Sequence, residues 1–264
     1  MQAENLLSGK RGLVMGVANN KSIAWGIAKA AANQGANIAF SFQMEGFGKR
    51  LAPLADSIGS NIMIECDVAN EGAVDYCFTK LATHWPTIDF VVHALAFSNK
   101  NELKGAYMDT SRDNFANTMM VSAYSFTEVA RAASAMMPAG GSLVTLSFLG
   151  AQRSTPNYNV MGVAKAALEA SVRYLAVDLG GQNIRVNALS AGPMRTLAGA
   201  AITGARHIFR HSECNAPLQR NPGLEEVGHA GLYLLSDLSS GVTGETHFVD
   251  GGYNSIGIPS ESRF

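Results

Sequence analysis

The chain has 264 residues, 47% of them hydrophobic and only 16% charged, with a formal net charge of −1. That length suits one large α/β domain or two small ones, and the apolar share suffices for a sheet covered on both faces. A near-neutral charge and the lack of a basic cluster argue against a nucleic-acid binder, so no nucleic-acid partner is expected.

The N-terminal Met1-Gln2-Ala3-Glu4-Asn5 has no basic n-region or apolar h-region, and no apolar run approaches 18 residues; a cytoplasmic protein without membrane association is expected. Residues 11–16 read as a buried strand running into a glycine turn, and Ser22 as the N-cap of a helix that ends near Asn33. A strand follows over 37–42, a polar helix over 49–58, a third strand over 61–66 and a helix over 71–84. Residues 88–93 form the fourth strand, 111–137 one long helix, and 141–147 the fifth strand. A helix over 156–175, a strand over 184–189 and a last strand over 245–249 complete the pattern. Strand–helix alternation at this spacing predicts a single-domain, doubly wound parallel sheet of about seven strands, Rossmann-like, with its ligand crevice at the carboxyl ends. Cys66, Cys77 and Cys214 lack disulfide or zinc spacing and read as core or incidental thiols. The six histidines form no ligand set, so no metal is expected.

The chemistry concentrates in Pro156-Asn157-Tyr158-Asn159-Val160-Met161-Gly162-Val163-Ala164-Lys165. Seven helical residues fall about 20° short of two turns, so Tyr158 and Lys165 share a face, with Met161 and Gly162 between them, and the bare glycine leaves room for something flat against the helix. An ammonium near a phenol favours the phenolate, and it can also bond ribose hydroxyls. The turn after the first strand lacks G-x-G-x-x-G, but Gly16 permits a tight turn, and Ser22 and Ile23 offer donors at a helix N-terminus. Gly26, one turn on, permits close packing. Gln43, at the end of the second strand, selects neither a ribose diol nor a 2′-phosphate, so the residues alone leave NAD versus NADP open. Asp67-Val68 suits an adenine clasp, and equally a cap for the next helix.

Together, Gly16-x5-Ser22-Ile23-Ala24, Asp67-Val68 and Tyr158-x-x-Met161-x-x-x-Lys165 resemble the divergent branch of the short-chain dehydrogenase/reductases, and most closely the bacterial NADH-dependent enoyl-[acyl-carrier-protein] reductases. The stretches 185–198, 242–245 and 249–252 carry the same resemblance, which spans essentially the whole chain. It implies cofactor contacts from Gly16, Ser22, Ile23, Gln43, Asp67, Val68, Leu95, Lys165, Met194, Arg195, Thr196, Leu197 and Ala198, with NADH favoured over NADPH. It implies substrate contacts from Ser98, Phe148 and Tyr158, catalysis by Tyr158 and Lys165, and a substrate-binding lid at about 196–212, within one domain covering 1–264. An acyl-carrier protein bearing an enoyl thioester is the implied partner, and a homo-oligomer, a tetramer, the implied assembly. The apolar run 249–258 reads as part of a subunit interface.

Three positions depart from the family pattern. Phe148 stands where a second tyrosine is usual, Ala96 where glycine is common, and Thr203, Arg206 and His207 where the lid is more basic. Two other readings stay open: a 3-ketoacyl or carbonyl reductase of the same superfamily, which would favour a Tyr four residues before the Lys, and an NADH-binding regulator without turnover, suggested by Phe148.

Overall fold

The apolar runs assemble into one parallel sheet in the order β3-β2-β1-β4-β5-β6-β7. The computed structural model describes residues 5–200 and 204–258. In chain order these hold β1 (Arg11–Met15), α1 (Ile23–Asn33), β2 (Asn37–Phe42), α2 (Glu45–Ser57), β3 (Ile62–Glu65), α3 (Ala73–Ala82) and β4 (Phe90–His93). Then come α4 (Arg112–Met119), α5 (Ser125–Ser134), β5 (Gly141–Ser147), α6 (Asn159–Gly180), β6 (Ile184–Ala191), α7 (Leu197–Ala200), α8 (Ala205–Asn215), α9 (Leu224–Leu235) and β7 (Thr246–Val249). The expected doubly wound sheet is present, and its order reverses between β1 and β4, which opens the crevice at that switch point.

Alternation along the strands divides the core into two layers. Leu13 and Met15 of β1 point to one face, where Val91, Leu143, Phe126 and Leu168 pack; Val14 points to the other, with Phe40, Val144, Ile27 and Val227. Gly26 has the packing role read for it: a Cβ there would meet Leu224 of α9 at 2.8 Å, and one on Gly228 would meet the Gly26 carbonyl at 2.6 Å. The two helices touch through bare backbone.

The structure corrects several readings. The long helix expected over 111–137 is α4 and α5 joined by a π-helical stretch, Met120–Tyr124, and it ends at Ser134. The wide turn lets Ser122 Oγ accept from the Phe97 amide and donate to the Phe97 carbonyl, both at 3.0 Å, which fastens the loop after β4. The polar helix begins at Glu45 rather than Lys49. Helix α9 is not among the expected elements, although the Glu226 carboxylate accepts from the Gly223 amide at 2.8 Å, the N3 half of a capping box. Tyr158 is the N-cap of the helix, and Asn159 is its first residue.

Candidate active site

The carboxyl ends of β1 to β6 gather nearly all the expected site residues. Gly16 follows β1 with φ +93°, and a side chain there would collide with the Ala94 carbonyl and lie 3.2 Å from Leu95 Cδ2. Glycine therefore lets the turn lie directly against the exit of β4. Ser22 holds the N-cap position of α1, as expected, but its hydroxyl does not cap. It accepts from the amides of Ala18 (3.0 Å) and Asn19 (3.1 Å) and so shapes the turn itself. The first turn of α1 carries no acidic residue, and the amides of Ile23 and Ala24 have no partner among the described residues. An uncapped helix start with free donors fits a pyrophosphate.

Gln43 and Asp67 meet: Gln43 Nε2 donates to Asp67 Oδ2 at 3.2 Å, while Oδ1 accepts from the Ala69 amide. Asp67 thus makes a local turn beside Val68 instead of capping α3, whose N-cap is Gly72. The nearby cations are engaged elsewhere, Lys49 with Glu45 at 2.7 Å and Arg50 over the Phe47 ring at 6.0 Å. After β6, Met194 and Thr196 bond each other through the main chain, the Thr196 hydroxyl accepts from the Gly199 amide, and the Arg195 guanidinium lies 5.0 Å from the Phe209 ring centre. Leu197 and Ala198 open α7. Thr203 lies outside the described residues.

Ser98 is placed as expected in the loop after β4, yet its hydroxyl is occupied. It donates to Asn114 Oδ1 (3.3 Å) and accepts from Thr118 Oγ1 (2.9 Å). Its amide has no partner among the described residues, so main-chain contact remains available.

Tyr158 stands between two asparagines with left-handed backbone, Asn157 (φ 59°) and Asn159 (φ 36°), a conformation asparagine tolerates better than most residues. The tyrosine is 7% exposed, and its ring meets Phe148 edge-on with centroids 5.1 Å apart. Gly150 makes room for that ring, since a Cβ there would lie 2.5 Å from Tyr158 Cδ1. The bare face of Gly162 is filled by the protein itself: a Cβ there would sit 2.8 Å from the Gly150 carbonyl. It offers no seat for a flat ligand. The Tyr158 hydroxyl has no hydrogen-bond partner among the described residues. Burial pushes the phenol well above its usual pKa, and the Glu169 carboxylate pushes it further. Burial and Glu169 set the phenol's state, the expected lowering by the Lys165 ammonium is not found, and Tyr158 is a neutral proton donor.

Lys165 is 5% exposed and donates to the Leu146 carbonyl at 2.7 Å. Burial lowers its pKa to about 8, with Glu169 acting in the opposite direction. Behind it, on β4, His93 is fully enclosed, with Nδ1 2.9 Å from Thr145 Oγ1 and Nε2 2.9 Å from Ser125 Oγ. Both hydroxyls also face carbonyls, Thr145 at 3.2 Å and Ser125 at 2.8 Å. A neutral ring needs one of them to donate to it, and the longer Thr145 contact is the one more easily given up. Burial, then the Lys165 charge, lowers the His93 pKa to about 3.

A cavity of about 310 Å³ opens beyond Phe148, bounded by Pro156, Gly192, Pro193, His207 and Ile208. Sequence reasoning missed Gly150, Ser147, Gln152 and Glu169 in this region; only the asparagines flanking Tyr158 hinted at unusual backbone.

A switch-point crevice, an uncapped α1 start and a buried Tyr–Lys pair at one end of the sheet define a nucleotide-dependent oxidoreductase of the short-chain dehydrogenase/reductase type. Residues 16–254 match the family described as enoyl-(acyl carrier protein) reductase. The chain is 59% identical to enoyl-[acyl-carrier-protein] reductase [NADH] 1 of Rhizobium meliloti over 97% of its own length and 94% of the relative's. Its structure is similar to that of FabI from Candidatus Liberibacter asiaticus, with TM-score 0.95, 56% identity and coverage of 97% and 99% of the two chains. It is similar also to an enoyl-(acyl-carrier-protein) reductase from Anaplasma phagocytophilum in complex with NAD, with TM-score 0.93, 56% identity and 97% coverage of each chain. The chain belongs to the enoyl-(acyl carrier protein) reductase family.

Proposed function

We infer that this protein reduces trans-2-enoyl thioesters on acyl-carrier protein to acyl thioesters with NADH, in type II fatty-acid synthesis. The observation that carries the reading is the Tyr158 hydroxyl, unpartnered among the described residues, at the tip of a buried ring two helical turns before a buried ammonium on the same face. The residues suit the cofactor: free Ile23 and Ala24 amides for the pyrophosphate, Asp67 and Val68 for adenine, Leu95, Lys165 and residues 194–198 for the nicotinamide half. Gln43, together with Lys49 and Arg50 held elsewhere, supports NADH over NADPH. Bound there, NADH supplies the hydride for the substrate β-carbon.

Hydride addition leaves an enolate with negative charge on the thioester oxygen, and a proton from Tyr158 or water at the α-carbon completes the acyl thioester. Tyr158 OH donates a hydrogen bond to that oxygen, and the benefit is largest in the transition state. Lys165 bonds the ribose and keeps a positive field at the site. Phe148, the loop at Pro193 and helix α8 exclude water from the reacting end of the acyl chain.

Residues of about 196–212 act as the lid of this single domain. The inner side of α8 is held weakly, since Ser212 Oγ and Asn215 Oδ1 are buried without a partner among the described residues. Arg206 and Arg210 are exposed on the other side, with His207 exposed at the cavity's rim, and suit an acidic carrier protein. Tyr174 (77% exposed) and Val177 (82%) form an apolar outer strip on α6, which supports a homo-oligomer, a tetramer in this reading, and Ile258 supports an added contact from the 249–258 run. No helix among the described residues is long and apolar enough to cross a membrane, and we place the protein in the cytoplasm.

The test is to give purified protein NADH with a 2-enoyl and a 3-ketoacyl thioester in parallel. Rapid NADH oxidation with the enoyl thioester alone is expected. Oxidation only with the ketone would make it a carbonyl reductase, and NADH binding without oxidation of either would make it a regulator.

A further inference from the structure

Glu169 has no part in the chemistry above, yet it is a carboxylate only 4% exposed. Burying a carboxylate costs heavily unless it is bonded and balanced by a positive charge. Its bonds come from neutral groups: Oε1 accepts from Ser147 Oγ at 2.6 Å and Oε2 from Gln152 Nε2 at 3.0 Å. Lys165 stands one turn earlier on α6, on the same buried stripe, and its ammonium bonds the Leu146 carbonyl. Leu146 and Ser147 are consecutive on β5. The strand end therefore holds the ammonium and the carboxylate side by side without direct contact, at a helical spacing that makes side chains neighbours. Between them screening by water is poor.

We propose that Glu169 is a positioning residue: its buried charge keeps Lys165 protonated, so that the cofactor anchor stays cationic inside a wall that would otherwise neutralise it. The proposal rests on the reading of Lys165 as that anchor. The titratable groups that interact with the ammonium are Glu169, one turn on along α6, and His93 on β4; Tyr158, at the N-cap of α6, is the remaining titratable group of the buried stripe. Burial keeps Tyr158 and His93 uncharged near neutrality, which leaves Glu169 to oppose the desolvation of Lys165. Arg173 bonds the Glu169 main-chain carbonyl at 3.1 Å, but it is solvent-exposed and screened.

The experiment follows NADH affinity from pH 6 to 10 in the native protein, Glu169→Gln and Lys165→Met. Native affinity is expected to fall as pH rises through the titration of Lys165, and Glu169→Gln to move that fall about 1 pH unit toward acid while leaving affinity at pH 6 nearly unchanged. A fall at the same pH in both proteins would overturn the proposal. If Lys165→Met binds NADH as the native protein does at every pH, it is the anchor reading that fails. A second measurement does not depend on the cofactor: melting temperatures of the two single variants and the double variant at pH 7. Charge pairing predicts that Glu169→Gln lowers the melting temperature much less in the Lys165→Met background. A double variant that folds where Glu169→Gln does not supports the pairing. Equal losses in both backgrounds, or failure of both to fold, would show that the carboxylate acts through packing alone.

Discussion

Replacing Gly150 by alanine tests whether placement of the Tyr158 ring sets the rate. Gly150 lies in a short 3-10 turn after β5 and is not among the positive-φ glycines, so its backbone admits alanine and space alone decides the outcome. The new Cβ would lie 2.5 Å from Tyr158 Cδ1, 2.8 Å from Cε1 and 3.2 Å from Phe148 Cδ1. Ordinary carbon contacts are about 3.5–4.0 Å, so something must retreat by about 1 Å. The turn is poorly placed to do so, because its carbonyl already rests on Gly162 of α6. The tyrosine ring therefore moves, and a ~1 Å misplacement at a reacting group costs roughly 10²-fold in rate, or about 2.7 kcal/mol. The assay is NADH oxidation with a saturating enoyl thioester, run also in a Tyr158→Phe background. If the loss arises through the hydroxyl, Gly150→Ala should cost less than about threefold once that hydroxyl is gone. The reasoning fails if the single variant stays within about threefold of native turnover, or if the full loss persists in the phenylalanine background.

Tyr158→Phe should lower turnover roughly 10²-fold with NADH affinity nearly intact, as for loss of one oxyanion donor; steady-state rates beside a binding titration check this, and near-normal turnover would remove Tyr158 from its role. His93, lowered to about 3 when folded against an ordinary 6.5, contributes stability that is fully present above about pH 6.5 and is lost as pH falls toward 3. That amounts to about 3 kcal/mol by pH 4, so urea midpoints should fall less steeply with acid in His93→Gln than in the native protein; parallel curves would refute it. Phe148→Tyr should change activity on enoyl thioesters by less than about tenfold, or ~1.4 kcal/mol, because in the proposed reaction Tyr158 and Lys165 already supply the oxyanion partner and the anchor. A thousandfold rise from an almost inert parent would instead show that the missing hydroxyl had disabled the chain.

The strands were legible because a sheet buried on both faces demands continuous apolar runs, and Leu13-Val14-Met15 or Phe90-Val91-Val92 meet that demand in any local window. The π-helical stretch was not, because its cause is distant: Ser122 bonds the Phe97 main chain, 25 residues earlier. The Tyr158–Lys165 spacing could be read because both side chains belong to one helical stripe. Glu169 belongs to that stripe too, but a glutamate amid alanines reads as solvent-facing until β5 brings Ser147 against it. The bare face of Gly162 misled for the same reason: its neighbour, the Gly150 carbonyl, reaches it only through the turn after β5.

The proposed reaction needs two protonated groups of opposite kind, and burial treats them differently. Desolvation disfavours the charged form of each, so it keeps Tyr158 a neutral donor, as an oxyanion partner must be, while it drives Lys165 toward the neutral amine, which an anchor must not become. More burial would improve one and spoil the other. A negative charge resolves the conflict, because it raises both pKa values and so retains both protons. Glu169 is placed to act on both, and it must itself be dry for its field to reach them. Its two oxygens are accordingly satisfied by Ser147 and Gln152, neutral donors that leave its charge undiminished. A direct ion pair with Lys165 would have tied the ammonium to the carboxylate; bonding the ammonium to Leu146 instead leaves its remaining protons for a ribose.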